Sequence, residues 1–163
     1  MHSYEIRIDI IPVALNKQQK RCIMTISFTR TDVNDLNVIC RLDKSIYSCI
    51  SKDIVSEIVI LNPERISHIQ SHHPKDYERY NQYIPAIIEQ PDYIIETDRK
   101  NTAFVLKEFS EDGHQFRLIL RLHTAADDPK LQNSIITFQY IRPKEYQRLI
   151  KNKKILYKRP EIC

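Results

Sequence analysis

The chain has 163 residues, 25 Lys and Arg against 21 Asp and Glu, a single glycine and no tryptophan. That length makes one domain with room for a real core. One glycine excludes phosphate-binding loops, dinucleotide fingerprints and Gly-x-Ser-x-Gly elbows, each of which needs several. Nothing resembles a signal peptide and the longest apolar runs are too short to span a bilayer, so the expectation is a cytoplasmic protein with no membrane attachment. Cys22, Cys40, Cys49 and Cys163 show no C-x-x-C pairing and are read as reduced thiols.

Residues 4–11 alternate Ile6, Ile8 and Ile10 with polar side chains, as a half-buried strand does, and residues 22–28 alternate again. We take residues 1–37 as a short β-rich leader and residues 38–163 as the main domain. Residues 38–42 read as a strand, Asp43 or Ser45 opens a helical turn, and residues 57–61 form a compact apolar run. Asn62 caps and Pro63 opens a helix that Pro74 stops, because a proline disfavours helical geometry in the residue before it. Tyr77, Tyr80, Ile84, Ile87 and Ile88 then repeat at helical spacing, and Pro85 must kink or restart that helix.

Four strands follow, at residues 93–96, 102–109, 116–122 and 134–141, with Asp112-Gly113 marking a turn. Residues 124–132 read as a polar loop, and Pro143 opens a last helix with Tyr146, Leu149 and Ile150 on its apolar side. The layout is α+β: N-terminal helices packed on a four-stranded antiparallel sheet, with the β-rich leader and a C-terminal helix added. Within the third strand Leu118, Leu120 and Leu122 point one way, and Arg117, Ile119, Arg121 and His123 the other. The strand before it sets Phe104 and Leu106 against Val105, Lys107 and Phe109. A charged sheet face is either an ordinary solvated surface or a binding surface.

Three histidines crowd the first long helix. His68 and His72 stand one turn apart, as in a zinc protease helix, but Gln70 holds the place of the glutamate base and no third ligand follows. No metal or other cofactor is expected. His73 shares the inward face with Ile66 and Ile69 at the helix end, where it either reaches the sheet or simply complements the helix dipole. Ser134 and Thr137 have opposite strand parity. Either Ser134 precedes the strand proper, or a bulge re-aims one of the two. From residue 142 to 163 there are eight Lys or Arg and two Glu, a local +6. Lys151, Lys153 and Lys154 with Tyr157 fit a phosphate-binding tail carrying a stacking aromatic, or a merely solvated end.

Taken in order, the helix ending in His-Pro, the tyrosine helix, Pro-Asp-Tyr-Ile-Ile-Glu, Thr-Ala-Phe-Val-Leu-Lys, Leu-Arg-Leu, Asn-Ser-Ile-Ile-Thr-Phe and Lys-Lys-Ile-Leu-Tyr resemble the phage-associated barnase–EndoU–colicin–RelE-like nuclease domains, known as PBECR domains. The resemblance covers residues 39–157 and leaves the leader outside. It implies a metal-independent endoribonuclease, phage- or mobile-element-encoded and toxin-like, with RNA as partner and a cognate inhibitor or immunity protein as a further one. It carries the family's polar positions onto His68, His73, Lys107, Arg121, Ser134 and Thr137, with His73 as general acid/base and His68 as its support. Lys107 and Arg121 would bracket one phosphate, the hydroxyls would orient it, and Arg117 and the basic tail would add RNA contacts. Where the family commonly has Arg before His-Pro, this chain has His72. The alternatives are an RNA- or protein-binding module without turnover, and a structural phage component.

Overall fold

The structure is a computed structural model that describes residues 37–162. The strand-like runs at 4–11 and 22–28 lie outside them. The first elements are β1 (Val38–Arg41), α1 (Lys44–Tyr47) and β2 (Ile58–Ile60). Asp43 caps α1, its carboxylate accepting from the Ser45 N–H at 2.8 Å and the Ser45 hydroxyl at 2.6 Å. The next helix, α2 (Pro63–His72), has proline in its first turn, where a missing N–H costs nothing. Asn62 stands at its cap position, but its side chain makes no capping bond, so the expected cap is positional only.

Pro74 leaves His73 as the C-cap, in a non-helical conformation. The tyrosine segment is not one helix. It breaks into α3 (Asp76–Tyr80), a 3-10 turn at Asn81–Tyr83 and α4 (Ile84–Glu89), which restarts with Pro85 in its first turn. The rest of the chain is β3 (Tyr93–Glu96), β4 (Thr102–Phe109), β5 (His114–Arg121), β6 (Asn133–Ile141), α5 (Pro143–Asn152) and β7 (Ile155–Lys158). Gly113 sits at φ 70° in the β4–β5 turn, a conformation that favours glycine.

All seven strands form one sheet in the order β1-β2-β6-β5-β4-β3-β7. This corrects the expectation of a four-stranded antiparallel sheet. The four predicted strands are contiguous and antiparallel within it, but β1 and β2 extend one edge and β7 the other. The sheet is mixed, because β2 runs parallel to β6. The buried Asn133 joins these two: its amide donates to Ser56 O at 2.6 Å and Ile58 O at 2.9 Å, while its Oδ1 accepts the His123 N–H at 2.8 Å.

Helices cover the two faces unequally. On the first face α1, α2 and α4 bring Tyr47, Ile69, Ile84 and Ile87 onto Val105, Phe116, Leu118, Leu120 and Phe138. Each such side chain, fully buried, is worth about 1.5–3 kcal/mol of transfer free energy. On the second face α5 places Tyr146 and Leu149 over Ile95, Leu106 and Ile141. Among the described residues, α5 is the one helix packed on that face.

Candidate functional site on the second face of the sheet

Strand parity and register decide which polar side chains meet. Ser134 pairs with Arg121 and Thr137 with Ile119, and between these pairs the register slips at Ile119/Leu120. The bulge lies at Ile136, the residue with no partner. It lets Ile135 and Phe138 both enter the first-face core, and it turns Ser134 and Thr137 to the same side. Of the two explanations for their opposite parity, the structure shows the bulge. That side is the one carrying Arg117, Ile119 and Arg121, beside Thr102, Phe104 and Leu106 of β4.

Arg121 is half-buried. Its guanidinium donates to Asp127 Oδ1 at 2.7 Å and to Leu122 O at 3.2 Å, which leaves most of its five-donor fork unused. The Asp127 carboxylate also accepts the Thr124 N–H at 2.8 Å and the Thr124 hydroxyl at 2.9 Å. These bonds, the Thr124 backbone first and the Arg121 charge after it, hold its pKa below the usual carboxylate value. Arg117 donates to Glu145 Oε1 at 3.0 Å and lies over the Phe104 ring, while its Nε is buried without a partner. Burial lowers the Arg117 pKa, Glu145 opposes this, and the charge of Arg148 adds to it. Glu145 meets Arg117, so α5 borders this face at its Arg117 end, and Arg148 stands one turn further along the helix. Lys151 continues the same helical stripe.

The remaining predicted residues lie elsewhere. Lys107 pairs with Phe116 and so faces the first side, at the opposite end of β4 from Thr102, the partner of Arg121. It is buried, donating to Gln90 O at 2.7 Å and lying 3.7 Å from Asp92, which also holds Arg159 at 3.2 Å. Burial lowers its pKa and Asp92 only partly restores it. Lys107 and Arg121 therefore do not bracket one phosphate: strand register, which alternation alone does not fix, sets them on opposite faces.

His68, His72 and His73 belong to α2 and its cap, whose Ile69 packs into the first-face core. The sheet lies between that layer and Arg121, Ser134 and Thr137. The His68 and His72 rings lie 4.1 Å apart, tilted by 33°, and His72 Nδ1 lies 3.0 Å from the His68 carbonyl oxygen. Among the described residues no three His, Cys, Asp or Glu side chains are grouped to hold a metal ion. The basic tail divides as well. Lys151 rides on α5, while Lys153 and Lys154 lie in the exposed turn to β7, with Lys154 3.4 Å from Glu96. Tyr157 pairs with Ile94 and packs against the first-face core, so it is not a free stacking surface. The Cys40 thiol, pushed up to about 12 by burial and then by Glu89, is no nucleophile near neutral pH.

A family model described as phage-Barnase-EndoU-ColicinE5/D-RelE like nuclease2, PBECR2, matches residues 39–158. The chain belongs to the PBECR2 family. The matched segment begins in β1 and ends with the last residue of β7, so the PBECR2 unit coincides with the seven-stranded sheet. No curated protein and no solved structure matches the chain. Among the described residues, no helix of this PBECR2 chain is long and apolar enough to cross a membrane. Sequence reasoning missed Asn133, Asp127 and His123. The signal for His123 was present in its shared parity with Arg121. Asn133 and Asp127 act through contacts that local pattern does not carry.

Proposed function

We propose that this PBECR2 domain is an endoribonuclease that seats the scissile phosphate on the second face of the sheet. The observation that supports it is the Ile136 bulge, which collects Arg121, Ser134 and Thr137 on the face bordered by α5. A guanidinium and two hydroxyls supply charge and hydrogen bonds to a phosphate but do not activate water. The substrate that suits them brings its own nucleophile, the 2′-hydroxyl of RNA. Attack on the adjacent phosphorus builds negative charge that Arg121 is placed to balance, and the product is a 2′,3′-cyclic phosphate. Arg117, Arg148 and Lys151 would hold flanking phosphates, giving salt-sensitive binding.

The test is incubation of the purified protein with end-labelled RNA in EDTA, followed by identification of the new 3′ end. Cleavage yielding cyclic phosphate, blocked when a 2′-deoxynucleotide replaces the one cleaved, supports the reading. Intact RNA that binds with a steep salt dependence instead marks an RNA-binding module without turnover. A toxin-like role belongs to the same proposal. Growth arrest on expression, relieved by a co-expressed neighbouring gene, would identify the inhibitor partner.

A further inference from the structure

RNA cleavage by 2′-hydroxyl attack needs a proton acceptor, and near neutral pH imidazole suits that task best. The described residues hold five histidines. Four belong to the first face: His68, His72 and His73 with α2, and His114 against the Tyr80 ring at 5.2 Å. His123 alone follows the parity of Arg117 and Arg121, since Leu122 before it still packs into the first-face core.

The backbone of His123 is fixed, its N–H donating to Asn133 Oδ1 at 2.8 Å and its carbonyl accepting the Val55 N–H at 3.1 Å. Asn133 is the neighbour of Ser134, which pairs with Arg121, so His123 stands at the same end of the sheet as the phosphate seat. Its Nε2 lies 2.9 Å from Asp128 O. A carbonyl oxygen only accepts, so Nε2 carries the ring proton and Nδ1 presents a lone pair. That Nδ1 is buried with no partner, in a residue 5 % exposed. A buried acceptor without a donor is costly and calls for an explanation. Structure alone supplies none: Asn133, Val55 and Asp128 already fix the residue without it.

We infer that His123 Nδ1 is the proton acceptor of the second-face site, covered in the free protein by the 124–132 segment that Asp127 ties to Arg121. The inference rests on the reading of that face as an RNA-cleaving site. Asp127 places a carboxylate among the Arg121 guanidinium, the Thr124 N–H and the Thr124 hydroxyl, the donors that an incoming phosphate would use. A phosphate that takes this seat displaces the Asp127 carboxylate and opens access to Nδ1, while Asp128 O stays on Nε2 and holds the tautomer. Nδ1 then takes the 2′-hydroxyl proton as the 2′-oxygen bonds to phosphorus. The bond from phosphorus to the 5′-oxygen breaks, its electron pair stays on that oxygen, and water protonates it. The imidazolium returns its proton to the resulting hydroxide.

The experiment compares single-turnover cleavage of labelled RNA by the full chain and by His123→Gln, His123→Gly and Arg121→Ala variants. His123→Gln should lose about 10²- to 10⁴-fold, the range that a positioned base contributes. Added imidazole should restore part of the His123→Gly rate, which a merely structural role would not allow. A folded His123→Gln variant that cuts within about threefold of wild type, less than any positioned base contributes, overturns the inference and leaves the Arg121 site standing. A wild-type chain that cuts no RNA overturns both. Should the variants fail to fold, nitrogen-15 spectra of the wild-type chain decide. Titration with an uncleavable 2′-deoxy oligonucleotide must move the His123 ring resonances, and unmoved resonances overturn the inference.

Discussion

On the face of the sheet covered by α1, α2 and α4, Lys107 keeps 7 % of its side chain in solvent and gives its ammonium to Gln90 and Asp92; on the opposite face Arg121 keeps 37 % and shares the carboxylate of Asp127 with Thr124. Both are cations near strand ends on adjacent strands, and a reading by residue type treats them as equals. Their surroundings differ in kind. Lys107 sits where β3, β4 and the end of β7 converge, with every nearby acceptor belonging to the fold. Arg121 sits beside a loop carboxylate, on the strand face that also carries two hydroxyls, with donors to spare. A cation whose partners are all structural holds elements together, whereas one with unused donors on an open face can take a ligand.

The largest effect should come from the first face and leave chemistry aside. Phe138→Ala empties a fully buried site and should cost about 3–5 kcal/mol of stability, read by urea unfolding. Next, Arg121→Ala should lower RNA cleavage about 10²- to 10³-fold, as loss of one charge-stabilising donor does, with little change in the urea midpoint. Lys107→Met should show the reverse, losing about 1–3 kcal/mol through the unpaired Gln90 carbonyl, with Asp92 left to Arg159 alone among its cations, while a folded variant cleaves normally. Equal catalytic losses at Lys107 and Arg121 would erase the distinction between the faces.

Asp127 supplies a pH test. Its folded-state pKa is lowered, so its stabilisation is present above the unfolded value of about 3.9 and fades as pH falls through the folded value. Wild type should therefore melt above Asp127→Asn at pH 7, by a margin that closes as pH drops below about 4. The smallest effect is expected at the helix. With the site on the second face, His73→Gln should change the cleavage rate by less than about threefold, below the range of a positioned acid or base. A loss matching that of Arg121→Ala would move the site to the α2 cap.

Much of the architecture was legible because it is local. Alternation in residues 102–109 and the Pro-opened starts of α2 and α5 put those elements where the structure has them. What was not legible is pairing. Val59 meets Asn133 through a parallel ladder whose partners no local pattern relates, so β2 read as an apolar run rather than a sheet strand. The alternation within β4 correctly grouped Lys107 with Val105 and Phe109. Whether that group shares a side with Leu118 or with Arg117 depends on register, and the structure pairs Val105 with Leu118. Ser134 and Thr137 stayed ambiguous for a related reason: a bulge and a late strand start produce the same parity conflict.

The bulge at Ile136 has a consequence for deletions. If Ile136 were removed and β6 closed up, Ile135 and Phe138 would become alternate residues and still enter the core, while Ser134 and Thr137 would still face outward together. The inserted residue is thus dispensable for facing, and what it adds is shape: a local bend and extra twist, with more chain between the two hydroxyls. A variant lacking Ile136 would keep the inventory of the site and alter its spacing alone, separating the presence of the hydroxyls from their reach.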